Sequence, residues 1–319
     1  MSQAQRTSDT PDTTNPVIVI VGPTASGKTD VAVELARALE GEVVSADSRQ
    51  IYRFMDIATA TPSLAERRDI PHYGFDLVDP DVVFSAGQFA SAARDWINDI
   101  RARGKTAIVA GGSGLYLQAL IDGFFAGDDI KDEQVRRELE ERADRFGLDA
   151  LHAELTELDP EYAAKILPTD RQRILRALEV VQASGVRFSE LHQRDRDEAA
   201  WPVRWFGIEH DRKALYARIN RRARLMLDLG LLAEVRDLID RGFGDAYSMK
   251  SVGYEEGMAY LNGEIDSIEE MLERIQQNTR RYAKRQLTWF RRNERIQWVR
   301  AGIQSATQIA DTILSSLGR

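Results

Sequence analysis

The sequence predicts an α/β fold: a P-loop-type parallel sheet core flanked by helices, with an inserted all-helical subdomain. Three observations point there. Val17 to Val21 is an unbroken β-branched run of the kind found in a strand buried on both faces. It runs into Gly22-Pro23-Thr24-Ala25-Ser26-Gly27-Lys28-Thr29, and then into a segment with Val31, Leu35 and Leu39 at helical spacing. From about residue 128 to 200 the strand signals stop and only helical periodicity remains, until an apolar run resumes at Val203.

Taken in order, residues 1–15 are rich in Ser, Thr and Asp and read as a disordered leader. The α/β core is expected over 16–127 and 201–319, and the helical insertion over 128–200. Strand, Gly-x-x-x-x-Gly-Lys-Thr and helix together make a phosphate-binding loop in its required context. The glycines let backbone N–H groups close around phosphate oxygens, and the helix N-terminus adds its positive end. Gly22 to Thr29 are therefore the candidate diphosphate- or nucleotide-binding residues. Lys28 would reach a phosphate, and the Thr29 hydroxyl would ligate Mg²⁺. The loop specifies a polyphosphate or pyrophosphate without choosing between them.

Glu42 to Ala46 reads as a second strand that delivers Asp47, Ser48, Arg49 and Gln50 at its carboxyl end, the ligand side of an open α/β sheet. Two readings of Asp47 stand at this point, a helix N-cap and a catalytic carboxylate. Ala65 to Asp69 is a polar connection, 72–78 looks extended, and Ser85 caps a helix to about Arg103. A buried strand over 105–110 ends in Gly111-Gly112-Ser113-Gly114 with no acidic residue. Those small residues would permit close backbone approach to a ligand.

In the insertion, helices are expected over 133–146 and 148–158, with a short one starting at Asp159-Pro160. A further helix, capped by Thr169 or Asp170, carries Arg173 and Arg176 three apart on one face. These two arginines are either solvated or ion-paired surface, or contacts for nucleic-acid phosphates. After a strand over 203–208 come a helix over 212–227 with Arg218, Arg221, Arg222 and Arg224, a helix over 231–241, a loop over 248–254 and a long helix over 267–292. Between Thr279 and Arg292 lie six positive charges, Arg280, Arg281, Lys284, Arg285, Arg291 and Arg292, and no negative one. That local excess opposes a net charge of −8 and suggests a polyanion contact. Trp289 and Phe290 read as core anchors. A strand near 296–299 and a helix over 305–317 close the chain.

Hydrophobic content of 43% and charged content of 29% are those of a soluble globular protein. No apolar run reaches the roughly 18–20 residues that span a bilayer, and no secretory segment precedes the first strand, so a cytoplasmic enzyme is the expectation. The chain has no cysteine, which excludes disulfides, thiolate zinc sites and a cysteine nucleophile. His72, His152, His192 and His210 are scattered without metal-ligand spacing, and read as structural or surface residues.

Taken together, Gly22–Thr29, Ala46–Tyr52, Gly111–Tyr116, Asp170–Glu179, Val252-Gly253-Tyr254 and Ala283–Trp289 resemble, in order, the motifs of the tRNA dimethylallyltransferases. The resemblance implies that the loop holds the pyrophosphate of dimethylallyl diphosphate with Mg²⁺, and that the exocyclic amine of the adenosine 3′ to the anticodon is alkylated. It makes Asp47 the general base, with Thr24 and Arg222 on the leaving pyrophosphate. Asp47, Ser48, Arg49, Gln50, Ser113, Gln172, Arg173, Ile174, Leu175 and Arg176 match tRNA-contacting positions, to which the charge run adds Arg280, Arg281, Lys284 and Arg285. The implied partners are the tRNA anticodon stem-loop and dimethylallyl diphosphate, with no membrane and a monomeric enzyme. One departure is Ala58-Thr59-Ala60-Thr61-Pro62, where the family carries a lysine at the position of Thr61. The competing readings are an adenylate isopentenyltransferase acting on free nucleotide, and a P-loop nucleotide kinase using the same loop for phosphoryl transfer.

Overall fold

The computed structural model describes residues 15–123, 130–193, 199 and 201–318. Residues 1–14 of the expected leader and the side chain of His192 lie outside the described residues. By its internal packing the chain divides into two compact units, one of residues 1–117 with 200–319 and one of 118–199.

The first unit opens with β1 (Val17–Val21), every residue of it buried, followed by α1 (Lys28–Ala38) and β2 (Glu42–Ser45). Next come α2 (Leu64–Arg67), β3 (His72–Tyr73), α3 (Ala86–Ala102), β4 (Ala107–Gly111) and α4 (Gly114–Ile121), which runs across the division after residue 117. The second unit holds α5 (Glu133–Phe146), α6 (Leu148–Leu158), α7 (Pro160–Ala163), α8 (Arg171–Ser184) and α9 (Phe188–Gln193). The first then resumes with β5 (Val203–Glu209), α10 (Arg212–Asp228), α11 (Leu231–Asp240), a 3₁₀ turn (Tyr247–Lys250), α12 (Tyr254–Leu261), α13 (Ile268–Phe290), β6 (Ile296–Arg300) and α14 (Ala306–Ser316).

The six strands form one parallel sheet in the order β3-β2-β4-β1-β5-β6. The expected α/β fold is observed. Ile18 and Ile20 of β1 point at Val31 and Leu35 of α1 and at Ile309 and Ile313 of α14, forming one continuous core. Burying each such aliphatic side chain contributes roughly 1.5–3 kcal/mol, so the strand's apolar run is what fixes it at the centre of the sheet. Because all strands are parallel, the segments following β1, β2 and β4 emerge on one side. The helical unit has its own core, in which Leu139, Leu151, Leu155, Ile174, Leu175 and Leu178 are fully buried.

Three local expectations are corrected. The polar connection contains a helical turn, α2, because Ser63 and Glu66 form a reciprocal capping box. The extended run over 72–78 shortens to His72–Tyr73, since Gly74 turns the chain at φ +93° and a Cβ there would lie 2.7 Å from the Ser45 carbonyl oxygen. Val78 keeps only a single bridge to Tyr52. The loop over 248–254 holds the 3₁₀ turn and the start of α12, whose Glu256 carboxylate accepts from the Gly253 N–H at 2.6 Å.

Candidate active site

The phosphate-type loop is folded tightly on itself. A Cβ on Gly22 would lie 2.7 Å from Ser26 Oγ, and Gly27 sits at φ +87°, where side chains are strained. Distant side chains hold the loop from outside. Arg218 Nε donates to the Ala25 carbonyl at 2.7 Å, and His210 Nε2 donates to the Ser26 carbonyl at 2.8 Å. Gln286 Oε1 accepts from the Thr24 N–H at 2.8 Å, while its Nε2 donates to the Gly112 carbonyl at 3.0 Å. Buried Gln286 on α13 thus ties the loop after β1 to the loop after β4. Sequence reading gave Gln286, Arg218 and His210 no part in the site, because their partners are remote in the chain.

Asp47 lies just past the end of β2. No helix begins there: Asp47 Oδ1 accepts from the Arg49 N–H at 2.9 Å, a two-residue turn, so the helix-cap reading is set aside. Ser48 N–H donates to Ser113 Oγ at 2.9 Å, joining the ends of β2 and β4. Gln50 is buried and supports the neighbouring loop, donating through Nε2 to the Thr59 and Ala60 carbonyls and accepting from Ser45 Oγ. Glu234 holds the same loop by accepting from the Asp56 and Ile57 N–H groups and from the Tyr254 hydroxyl at 2.6 Å. Thr61 is hydrogen-bonded to the Thr59 hydroxyl at 2.9 Å.

Two cavities meet at Asp47. The smaller, about 60 Å³, is lined by Lys28, Thr29, His72 and their neighbours. The larger, about 250 Å³, is lined by Arg49, Lys250, Tyr254, Tyr282, Arg285 and others. Thr24, Asp47, Thr59 and Arg222 line both. Arg222 donates to Thr24 Oγ1 at 3.1 Å and to the Thr59 carbonyl at 3.4 Å, while its buried Nε has no hydrogen-bond partner. Burial pulls its guanidinium below the ordinary arginine range, opposed by the Asp47 charge. Burial also lowers the Lys28 amine to about 8, with Asp47 opposing and Arg222 reinforcing the shift. Two desolvated cations thus face one carboxylate, an arrangement that favours an incoming polyanion.

The glycines after β4 also make room for α13. A Cβ on Gly112 would lie 2.3 Å from Gln286 Nε2, and one on Gly114 would lie 2.2 Å from the Trp289 indole nitrogen. These two glycines admit α13, while Gly111 lines the smaller cavity. Phe290 is a buried anchor as expected, whereas Trp289 is 40% exposed and leans on Gly114.

Among the other expected residues, Arg285 is exposed, lines the larger cavity and stacks over the Tyr282 ring. Arg280 donates to Asn220 at 2.7 Å, Arg281 to Asn278 at 3.3 Å, and Lys284 is exposed. In the helical unit, Gln172 and Arg173 are exposed on α8, and Arg173 lies 3.4 Å from Asp170. Arg176 donates to the Ile130 carbonyl and pairs with buried Glu179 at 3.1 Å. Ile174 and Leu175 are sealed in that unit's core, because the helix repeat turns them away from the exposed face.

A family model described as IPP transferase matches residues 50–293. This chain belongs to the IPP transferase family. It is 43% identical over 282 residues to a tRNA dimethylallyltransferase of Bacillus cytotoxicus, covering 88% of this chain and 89% of that one. The corresponding enzyme of Bacillus subtilis is 40% identical over 287 residues, covering 90% and 91%. Among solved structures, the full-length tRNA isopentenylpyrophosphate transferase of Bacillus halodurans superposes with a TM-score of 0.70 at 38% identity, covering 95% of this chain and 97% of that one. A eukaryotic dimethylallyltransferase acting on tRNA gives a TM-score of 0.84 at 26% identity, covering 96% and 79%.

Proposed function

We propose that this IPP transferase family member moves a dimethylallyl group from dimethylallyl diphosphate to the exocyclic amine of the adenosine 3′-adjacent to the anticodon in tRNA, releasing pyrophosphate. The observation that carries the reading is the shared wall of the two cavities: Thr24, Asp47, Thr59 and Arg222 border both. A diphosphate in the smaller cavity and a base in the larger would meet at Asp47.

The chemistry follows from that placement. The carbon–oxygen bond to pyrophosphate breaks and a carbon–nitrogen bond to the amine forms. The amine proton passes to the Asp47 carboxylate, a general-base step. Negative charge grows on the departing diphosphate, where Lys28, Arg222 and the Thr24 hydroxyl donate, and preorganised donors of this kind supply the largest share of stabilisation. The donor set also fits Mg²⁺. Thr29 offers a hard oxygen beside Lys28, and no cluster of three acidic or histidine ligands occurs among the described residues. Thr29 would hold such an ion through its hydroxyl oxygen. When bound, it neutralises charge on the diphosphate.

No helix among the described residues is long and apolar enough to cross a membrane, and we read the enzyme as a cytoplasmic monomer. The test is labelled dimethylallyl diphosphate incubated with bulk unmodified tRNA. Label in RNA supports the reading. Label entering free AMP, or phosphate released from ATP without prenyl transfer, overturns it.

A further inference from the structure

Beside the larger cavity stands an aromatic ring that the reaction itself does not use. Tyr247 opens the 3₁₀ turn and is 63% exposed, while the next two residues, Ser248 and Met249, are buried at 0% and 2%. The turn is therefore pinned from behind and holds the ring outward. The Arg49 guanidinium lies over that ring, 5.5 Å from its centroid. Arg49 and Lys250, the last residue of the turn, both line the cavity, whereas Tyr247 lies outside its lining. An outward aromatic face, flanked by two cations at the edge of a base-sized cavity, has the composition of a stacking site for single-stranded nucleic acid.

We propose that Tyr247 is a stacking platform for an unpaired tRNA base flanking the target adenosine, with Arg49 and Lys250 drawing in the adjoining phosphates. The proposal rests on the tRNA-prenylation reading. Pulling the target base out of its stack leaves its neighbours without a partner, and a fixed aromatic face would replace the lost stacking. The ring would then act on tRNA affinity and loop register, not on bond making.

The test uses the full chain, a synthetic anticodon stem-loop with 2-aminopurine at one flanking position at a time, and the variants Tyr247→Ala and Tyr247→Phe. Loss of a base–aromatic stack weakens binding about 5- to 150-fold. Tyr247→Ala should raise the KM for tRNA by that factor, leaving kcat and the KM for dimethylallyl diphosphate within about twofold of wild type. Binding should quench the 2-aminopurine in wild type and Tyr247→Phe, but not in Tyr247→Ala. If Tyr247→Ala keeps the wild-type tRNA KM and quenching while label still enters tRNA, the platform is wrong and the function reading stands. If wild-type protein puts no label into any tRNA, the function reading fails and takes the platform with it.

Discussion

The two ends of β2 carry the same set of charges put to opposite uses. At its amino end Glu42 is 1% exposed and meets an arginine and a lysine; just past its carboxyl end Asp47 also faces an arginine and a lysine. Arg103 grips Glu42 through both terminal nitrogens at 2.6 and 2.7 Å, Lys105 joins at 2.6 Å, and the Tyr73 hydroxyl donates at 2.8 Å. Those bonds, with Arg103 foremost, hold the Glu42 carboxyl down at about 2. At Asp47, no ion pair joins the carboxylate to Lys28 or Arg222 among the described residues, and Arg222 Nε is left unpartnered. One cluster is closed on itself; the other keeps its charges for something that arrives. A buried charge cluster is read from its unspent donors and not from its composition.

Neutralising each acid should separate the two uses. Asp47→Asn keeps size and loses basicity, so single-turnover transfer should fall by about 10²-fold or more while the thermal midpoint stays near wild type. Unchanged turnover would make Asp47 a turn residue only. Glu42→Gln should do the reverse, costing about 1–3 kcal/mol of stability and leaving turnover intact, because the buried carboxylate loses its charge-assisted bonds to Arg103 and Lys105, whose own exposure to solvent limits the loss. The pH dependence has a definite sign. Glu42 has a depressed carboxyl, so its contribution is fully present above about 4.5 and is lost as pH falls through about 2. Denaturant titrations of both proteins over that acid range should converge; parallel curves would show that Glu42 is not the source.

A smaller effect belongs to Lys28. Its amine, lowered to about 8, is charged at pH 7 and largely neutral at pH 9. Affinity for dimethylallyl diphosphate should therefore fall about tenfold at most across that interval. In the absence of donor the unfolded chain holds this proton more tightly, so the residue's effect on stability runs the other way, favouring the fold as pH rises from about 8 to 10.5. Lys28→Arg stays protonated throughout and should give a flat donor-affinity profile. A wild-type profile that is equally flat would remove Lys28 from the phosphate.

How much of this was legible in the sequence depended on how local each cause was. β1, its loop and α1 were readable because a β-branched run, glycines and helical spacing stand side by side. Asp47 could be placed at a strand end but not freed from a capping role, since that required seeing that no helix follows. The glycines after β4 announced close approach without naming what approaches, and the answer, Gln286 and Trp289, lies more than 170 residues away. Glu42 gave no signal, as one acid opening a buried strand looks like an exposed strand end until Arg103 and Lys105 fold over it. α12 depends on Glu256 meeting Gly253 and Asn278, the last of these reached only through tertiary packing.

The same contrast extends to the arginines expected on RNA, where the effects should be smallest. Arg176 is engaged within its own unit, by the Ile130 carbonyl and by Glu179. Arg285 is exposed over Tyr282 at the larger cavity, and carries no ion pair among the described residues. A phosphate bound by an arginine releases condensed counterions, so each such contact steepens the fall of affinity with salt. Arg285→Ala should weaken tRNA binding a few-fold at low salt and flatten the log–log salt slope by about one unit at most. Arg176→Ala should leave that slope unchanged and lower the stability of the helical unit instead, because it leaves Glu179 with less compensation. The measurement is tRNA binding over a salt series beside thermal unfolding of the same proteins. If Arg176→Ala flattens the slope and Arg285→Ala does not, an internal partner in the free protein does not keep an arginine from serving RNA. The rule drawn from the two ends of β2 would then hold only for the buried cavity and not for the surface.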